Sequence, residues 1–230
     1  MCIRDSLFGS RLGDLLGKAR SAEDLGAVLT DRHDMVAEQV RPLMVAEVPG
    51  EDRAAVDLLR DWDLSMTADS APAALFWVAL SLAVEELLPG KRFGPLASHP
   101  RLGLAALLGR VGLDPSVFPR GVLAEAFGTL KHLSGEDPGG WQWGAIHRLR
   151  RRPIEPLEEP TYMPVSGSPG TIEGYRLHDM SVPFEADVEP SVLVLSDLSS
   201  SRLEVVDSRG RTILDLKARP DTERVELVPG

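Results

Sequence analysis

Residues 141–153 read WQWGAIHRLRRRP and gather side chains able to bind ligands or move protons. Trp141 and Trp143 offer π faces, His147 an imidazole that titrates near neutrality, and Gly144 a backbone that other groups can approach closely. Two of the four tryptophans in the chain lie here, one residue apart. The stretch is open to three roles: a binding platform, a catalytic histidine in an aromatic frame, or a packing device. The spacing favours packing. On an extended strand Trp141 and Trp143 point the same way and anchor against one surface, while His147 donates a hydrogen bond at the seam. The basic run Arg148, Arg150, Arg151 and Arg152 reads as a solvated strand end or loop.

Other chemistry is tested by spacing. Ser166-Gly167-Ser168-Pro169-Gly170 lacks the leading glycine of a G-x-S-x-G nucleophile elbow. With no H-E-x-x-H and no cysteine pair, no zinc set is signalled. The histidines at 33, 99, 132, 147 and 178 have no ligand spacing, and no glycine-rich phosphate loop occurs. Asp61, Asp63 and Asp69 in DWDLSMTAD hint at oxygen ligation. Without the third acid and central glycine of a calcium loop, they read as helix-end solvation.

The elements that must position these residues fall into two regions. Residues 7–140 read as helical. Ser21 with Glu23 and Asp24 starts an amphipathic pattern carried by Leu25, Val28, Leu29, Val36 and Val40. GEDRAAVDLLRDWD puts Val56, Leu59 and Trp62 on one face. APAALFWVALSLAVEELLPG is apolar all round from Ala73 to Val84, too short for a bilayer, and so a buried core helix. Two shorter helices are expected around Arg101 to Arg110 and Gly121 to Leu133. Residues 141–230 read as extended and β-rich, with strands in SVLVLSDL, SRLEVVDSRGRTILDL and ERVELVP. Residues 202–216 form a hairpin turning at Ser208-Arg209, with Leu203, Val205, Leu214 and Leu216 on one face. The fold class is therefore α+β.

The 230 residues are 43% hydrophobic, with a net charge of −10 and a pI near 5.0. Such a balance repels phosphate, so neither nucleic acid nor a membrane is a partner. Residues 1–6, MCIRDS, hold the only cysteine and read as a translated sequencing adaptor outside the fold.

Four blocks together carry a resemblance. LLRDWDLSMTADSAPAALFWVAL (58–80) and WQWGAIHRL (141–149) resemble the L-x-x-W-D…DS-x-A-A and W-x-W-G-x-x-H blocks of the penicillin acylase family. SRLGDLLGKARSAEDLGAVLTDRHDMVAEQV (10–40) is similar to the segment preceding them, and PVSGSPGTIEG (164–174) to a later small-residue block. The blocks run in order from about residue 10 to 175. The C-terminus departs from the pattern: Pro190-Ser191 and Asp197 fit a family strand, but no G-Q-S-G turn follows.

The resemblance implies part of a four-layered αββα N-terminal-nucleophile hydrolase, specifically a C-terminal part of the β-chain. It implies cleavage of the amide bond of N-acyl compounds such as penicillins or acyl-homoserine lactones. The terminal nucleophile and an oxyanion-holding asparagine would lie upstream of Leu7. Arg11 falls where the family has a charge-balancing arginine near the site. Trp62, Asp63, Trp141, Trp143, Gly144 and His147 are structural motif residues. No cofactor or metal is expected among these residues, while the resemblance leaves calcium open for the complete enzyme. The implied partners are the upstream β-chain and an α-chain from the same precursor, and the implied location is periplasmic or secreted. The rival reading is a non-catalytic helical binding or scaffold domain with a β tail.

Overall fold

The computed structural model describes residues 3–46, 53–88, 100–151, 159–174, 176–177, 180–188, 193–197, 202–206, 212–218 and 225–228. Helices come first: α1 (Ile3–Lys18), α2 (Ala22–Leu29), α3 (Met35–Val45), α4 (Arg53–Arg60), α5 (Ala71–Leu87), α6 (Pro100–Leu113), α7 (Val122–Ser134) and the single turn α8 (Trp143–Ile146). Strands β1 (His147–Arg151), β2 (Thr161–Pro164), β3 (Arg176–Leu177) and β4 (Phe184–Val188) form a sheet in the order β2-β1-β4-β3. A second, antiparallel sheet runs β5 (Leu193–Asp197), β6 (Arg202–Val206), β7 (Thr212–Ala218), β8 (Val225–Val228) in sequence order. The α+β class follows directly from this order.

Local chemistry starts the helices where the sequence allows it. The Ser21 hydroxyl accepts from Asp24 N–H (3.1 Å), and the Asp24 carboxylate accepts from Ser21 N–H (2.9 Å). This reciprocal box satisfies two otherwise free amides at the start of α2. Ser70 caps α5 by accepting from Ala73 N–H, and Pro72 sits in the first turn, where no intrahelical donor is needed. Inside α5, every residue from Ala73 to Ser81 is buried, along with Ala83 and Val84. It is the axis of the core. Buried side chains of α3, α4, α6 and α7 surround it, joined by Trp141, Trp143, Ile146, Leu177 and Phe184.

Two expectations need correction. The pattern from Ser21 to Val40 is not one helical run, because the chain leaves the helix at Thr30 and starts α3 at Met35. Leu25 and Leu29 therefore stay 38% and 39% exposed, since the break redirects α3 and leaves the outer side of α2 in solvent. Nor do Trp141 and Trp143 share an extended strand. Trp141 follows a 3₁₀ turn at Pro138–Gly140, Trp143 opens α8, and β1 begins only at His147. Both indoles are buried, at 1% and 0% exposure, but against different neighbours. Trp141 meets Phe127 edge-on at 5.0 Å, whereas Trp143 lies against Trp77 (5.9 Å) and Phe184 (5.5 Å). The helical turn separates them because Trp143 and Gly144 donate their N–H groups to Ser70 O and Ala68 O, pulling the backbone onto the α5 entry.

The expected pairing of β6 with β7 is present, with Leu203 opposite Leu216 and Val205 opposite Leu214. Its turn at Ser208-Arg209 lies outside the described residues. Among the described residues no helix is long and apolar enough to cross a membrane.

Because Trp143 fills the seam between α5 and β4, Trp143→Ala should cost about 3–5 kcal/mol of unfolding free energy. Arg150→Ala, on an exposed position, should stay within about 0.5 kcal/mol. Urea denaturation of the two variants checks this placement, and equal midpoints would overturn it.

Candidate functional site

The polar centre of the structure is a residue that spacing alone did not single out. Asp34 is fully buried. Its Oδ1 accepts from Val36 and Ala37 N–H, both at 2.8 Å, which caps the N-terminus of α3. Its Oδ2 accepts from the Trp77 indole N–H (3.0 Å) and from the Ser168 hydroxyl (2.6 Å). One carboxylate thus ties together α3, the middle of α5 and the 166–174 loop. Burial pushes the Asp34 pKa up, against the opposing pull of Ser168, Ala37, Trp77 and Val36.

Backbone bonds close the same junction. Asp34 N–H donates to Leu64 O, Met35 N–H to Gly170 O, Met66 N–H to Arg32 O and Gly167 N–H to Met66 O. His33 and Ser65 form an isolated antiparallel bridge. Arg32 pairs with the buried carboxylate of Glu173, whose own N–H donates to Asp31 O. The Thr171 hydroxyl, also buried, accepts from Ser168 N–H and donates its single proton to Glu173 O at 2.6 Å, with Ser168 O 3.0 Å away. Gly170 is needed here for space: a Cβ on it would overlap the Asp34 carboxylate. That explains the small-residue block at 166–170. Ser168 is not a nucleophile in this geometry, because its oxygen is buried and committed to Asp34 and Gly170 N–H.

The motif residues find their places around this junction. Asp63 accepts from Ser65 N–H (2.8 Å), and the buried Trp62 indole donates to Ser65 O (3.2 Å). The pair therefore builds a turn, in which Leu64 adopts a left-handed φ of 67°. Gly144 allows a close approach: a Cβ would stand 2.9 Å from Pro164 Cβ and 3.0 Å from Ala68 Cβ. Trp143 donates its indole N–H to Gly167 O at 2.8 Å. His147 stacks on Trp143 with ring centroids 4.4 Å apart and planes at 21°. Its Nδ1 lies 3.1 Å from Val165 O, so Nδ1 carries the proton. Burial lowers the His147 pKa to about 4, with the Val165 bond opposing, so the ring is neutral near pH 7. It lies in the aromatic seam.

Arg11 lies apart from this aromatic seam. It makes a two-pronged pair with Asp31, at 3.0 Å from Nε and 2.8 Å from Nη2, and that bond raises its pKa further. Asp61 and Asp69 are exposed, and among the described residues no group of three His, Cys, Asp or Glu side chains could hold a metal ion. What sequence reasoning missed was Asp34 with Ser168, Thr171 and Glu173. A signal existed for the first: an aspartate directly before the apolar run Met35-Val36-Ala37 is a helix-start pattern. Nothing local marks Ser168 and Glu173, because their side-chain partners lie over a hundred residues away, Asp34 at a separation of 134 and Arg32 at 141, and Thr171 only braces the loop between them.

These features define an α+β protein in which a helical layer is pinned to a mixed sheet through a buried polar junction. The family model for penicillin amidase matches residues 8–208, and the chain belongs to that family. Amide hydrolysis is thus its general functional context. Strands β7 and β8 lie beyond the matched residues. Comparison with curated proteins finds no match.

Two outcomes test the junction. Gly170→Ala should destabilise the fold strongly, by about 2 kcal/mol or more through overpacking. Gly128→Ala, on the open face of α7, should instead gain roughly 0.5–1 kcal/mol. Thermal melts of both variants read the contrast, and equal shifts would contradict the Gly170 contact.

The second outcome concerns pH. His147 has a folded pKa of about 4 against an ordinary 6.5, so the unfolded chain binds the proton more readily. Its contribution is complete above pH 6.5 and is lost as pH falls towards 4, by about 3 kcal/mol in total. Asp34, with its raised pKa, contributes with the opposite sign, losing stability as pH climbs above 3.8 through its folded value. Urea unfolding at steps between pH 4 and 7 should show the His147 loss, and His147→Gln should flatten it. A profile unchanged by that substitution would remove His147 as the source.

Proposed function

We propose that this chain is the scaffold portion of the β-chain of a penicillin amidase-type hydrolase, cleaving the amide bond of N-acyl compounds. Penicillins and acyl-homoserine lactones are the candidate substrates. The observation that carries this reading is the single family match spanning residues 8–208, which takes in both the helical layer and the sheet that the Asp34 junction joins. The proposed complete fold is the four-layered αββα arrangement of N-terminal-nucleophile hydrolases.

In this proposal the chemistry is divided between segments. A preceding segment supplies the terminal Ser, Thr or Cys, whose own α-amino group serves as base. It also supplies an asparagine for the oxyanion, a residue type that this sequence does not contain. This chain supplies geometry. The Trp143–His147 stack and the Asp34 junction hold β1 and β4 at a fixed height against α5, so that groups carried by the sheet converge without reorganisation. Arg11, oriented by Asp31, is the proposed charge-balancing cation. An α-chain from the same precursor, calcium elsewhere in the complete enzyme, and a periplasmic or secreted location belong to the same proposal.

The 230 residues alone should release no acyl group from penicillin G or an acyl-homoserine lactone above background. Loss of one oxyanion donor already costs about 10²–10³ in turnover, and the nucleophile is lost with it. Expressed with its native upstream coding sequence, the protein should cleave itself and then hydrolyse an amide. Alanine at the newly exposed terminus should abolish both. An uncleaved, inert full-length protein would favour a non-catalytic binding domain instead.

A further inference from the structure

The two faces of the first sheet differ sharply. On the inner face, His147, Leu149, Phe184 and Ala186 are 5% exposed or less. The outer face carries Arg148 and Arg150 of β1, which alternate with those inward residues as strand geometry requires. The pairing register places Pro164 and Glu185 beside Arg148, and Tyr162 beside Arg150. Tyr162 is 43% exposed, a large aromatic left in solvent.

Three observations make this face unfinished. The Arg148 guanidinium lies over the Tyr162 ring, 5.0 Å from its centroid, so it reaches across β2. Its Nε is buried yet has no acceptor among the described residues. Buried donors are paired in the great majority of cases, and a charged one left without an acceptor is costly. Arg150 is exposed, and among the described residues neither arginine has an ion-pair partner, in a chain holding 35 acidic residues against 25 basic ones. Finally, among the described residues β2 is the edge strand of its sheet, and its outward row offers the Tyr162 N–H and carbonyl and the Pro164 carbonyl.

From this placement we infer that the β2 edge and the Arg148–Arg150–Tyr162 face form a docking surface for an extended acidic polypeptide segment of a partner chain. A strand added beside β2 lies about 4.8 Å beyond it, on the side towards which Arg148 already reaches. Acids at alternate positions of that strand share one face, and their spacing matches the alternate spacing of Arg148 and Arg150. Each arginine then meets a carboxylate in the two-pronged geometry that guanidinium favours. Backbone pairing supplies affinity and the arginines supply register. The overall negative charge of the chain does not prevent this, because charges more than roughly 8 Å away are largely screened at physiological ionic strength. The test reads peptide binding alone, so its outcome is distinguishable from that of the proposed activity.

The probe is a fluorescent peptide of alternating glutamate and valine, titrated onto the 230-residue chain by anisotropy. Its glutamine counterpart and a version N-methylated at alternate amides serve as comparisons. The glutamate peptide should bind, and the other two should bind about tenfold more weakly or worse. Arg148→Gln and Arg150→Gln should each reproduce the loss, and Lys18→Gln, distant on α1, should not. Circular dichroism confirms that the variants fold. Equal binding of glutamate and glutamine peptides, or of methylated and unmethylated ones, would overturn the inference. Full competition by millimolar citrate would reassign the site to small carboxylates, and self-association abolished by the same variants would reassign it to a second copy of the chain. Either result excludes the acidic partner segment.

Discussion

One buried carboxylate sets the relative position of the other parts. Asp34 accepts four hydrogen bonds from three separate stretches of chain: the start of α3, the indole of Trp77 on α5, and Ser168. Every donor is neutral, so the charge is offset by dipoles alone. Bonds to a charged group contribute about 1.5–3 kcal/mol each, while burying an ion costs several kcal/mol even after relaxation. The raised pKa indicates that burial outweighs the donors. The junction is therefore better understood as a determinant of geometry than as a source of net stability. Any other register of the 166–174 loop would leave the carboxylate, the indole and the hydroxyl without partners at once.

Stability comes instead from the aromatic seam around it. Trp77, Trp143 and Phe184 are fully buried and in mutual contact, and the buried Phe76 joins them through Trp77, at ring separations between 5.5 and 6.3 Å. Each large side chain contributes roughly 1.5–3 kcal/mol by leaving water. The apolar seam drives the helical layer onto the sheet but is indifferent to small slips. The polar junction, with Gly144 and Gly170 admitting close backbone approach, removes that freedom. His147 belongs to the seam by shape and to the junction by its bond to Val165, and its neutral form satisfies both.

This division of labour is carried by particular side chains. The motif residues Trp62, Asp63, Trp141, Trp143, Gly144 and His147 act on backbone and packing. Their types suit that work: indoles fill volume and donate one bond, an aspartate closes a turn, and a glycine yields space.

Much of this was legible in the amino-acid order. The apolar stretch from Ala73 to Val84 could only be a buried helix, because no face of it is polar. The alternation in residues 202–206 and 212–218 dictated a strand pair whose register the hydrophobic pattern selects. Trp141, Trp143 and Gly144 announced packing by their bulk and its absence. These properties are local, and periodicity or side-chain size expresses them directly. The break at Thr30–Asp34, the helical turn at Trp143–Ile146 and the Asp34–Ser168 bond were decided only by tertiary structure. In each, a short segment trades a local preference for hydrogen bonds to distant residues, and those distances exist only once α5 has drawn the helices and the sheet together.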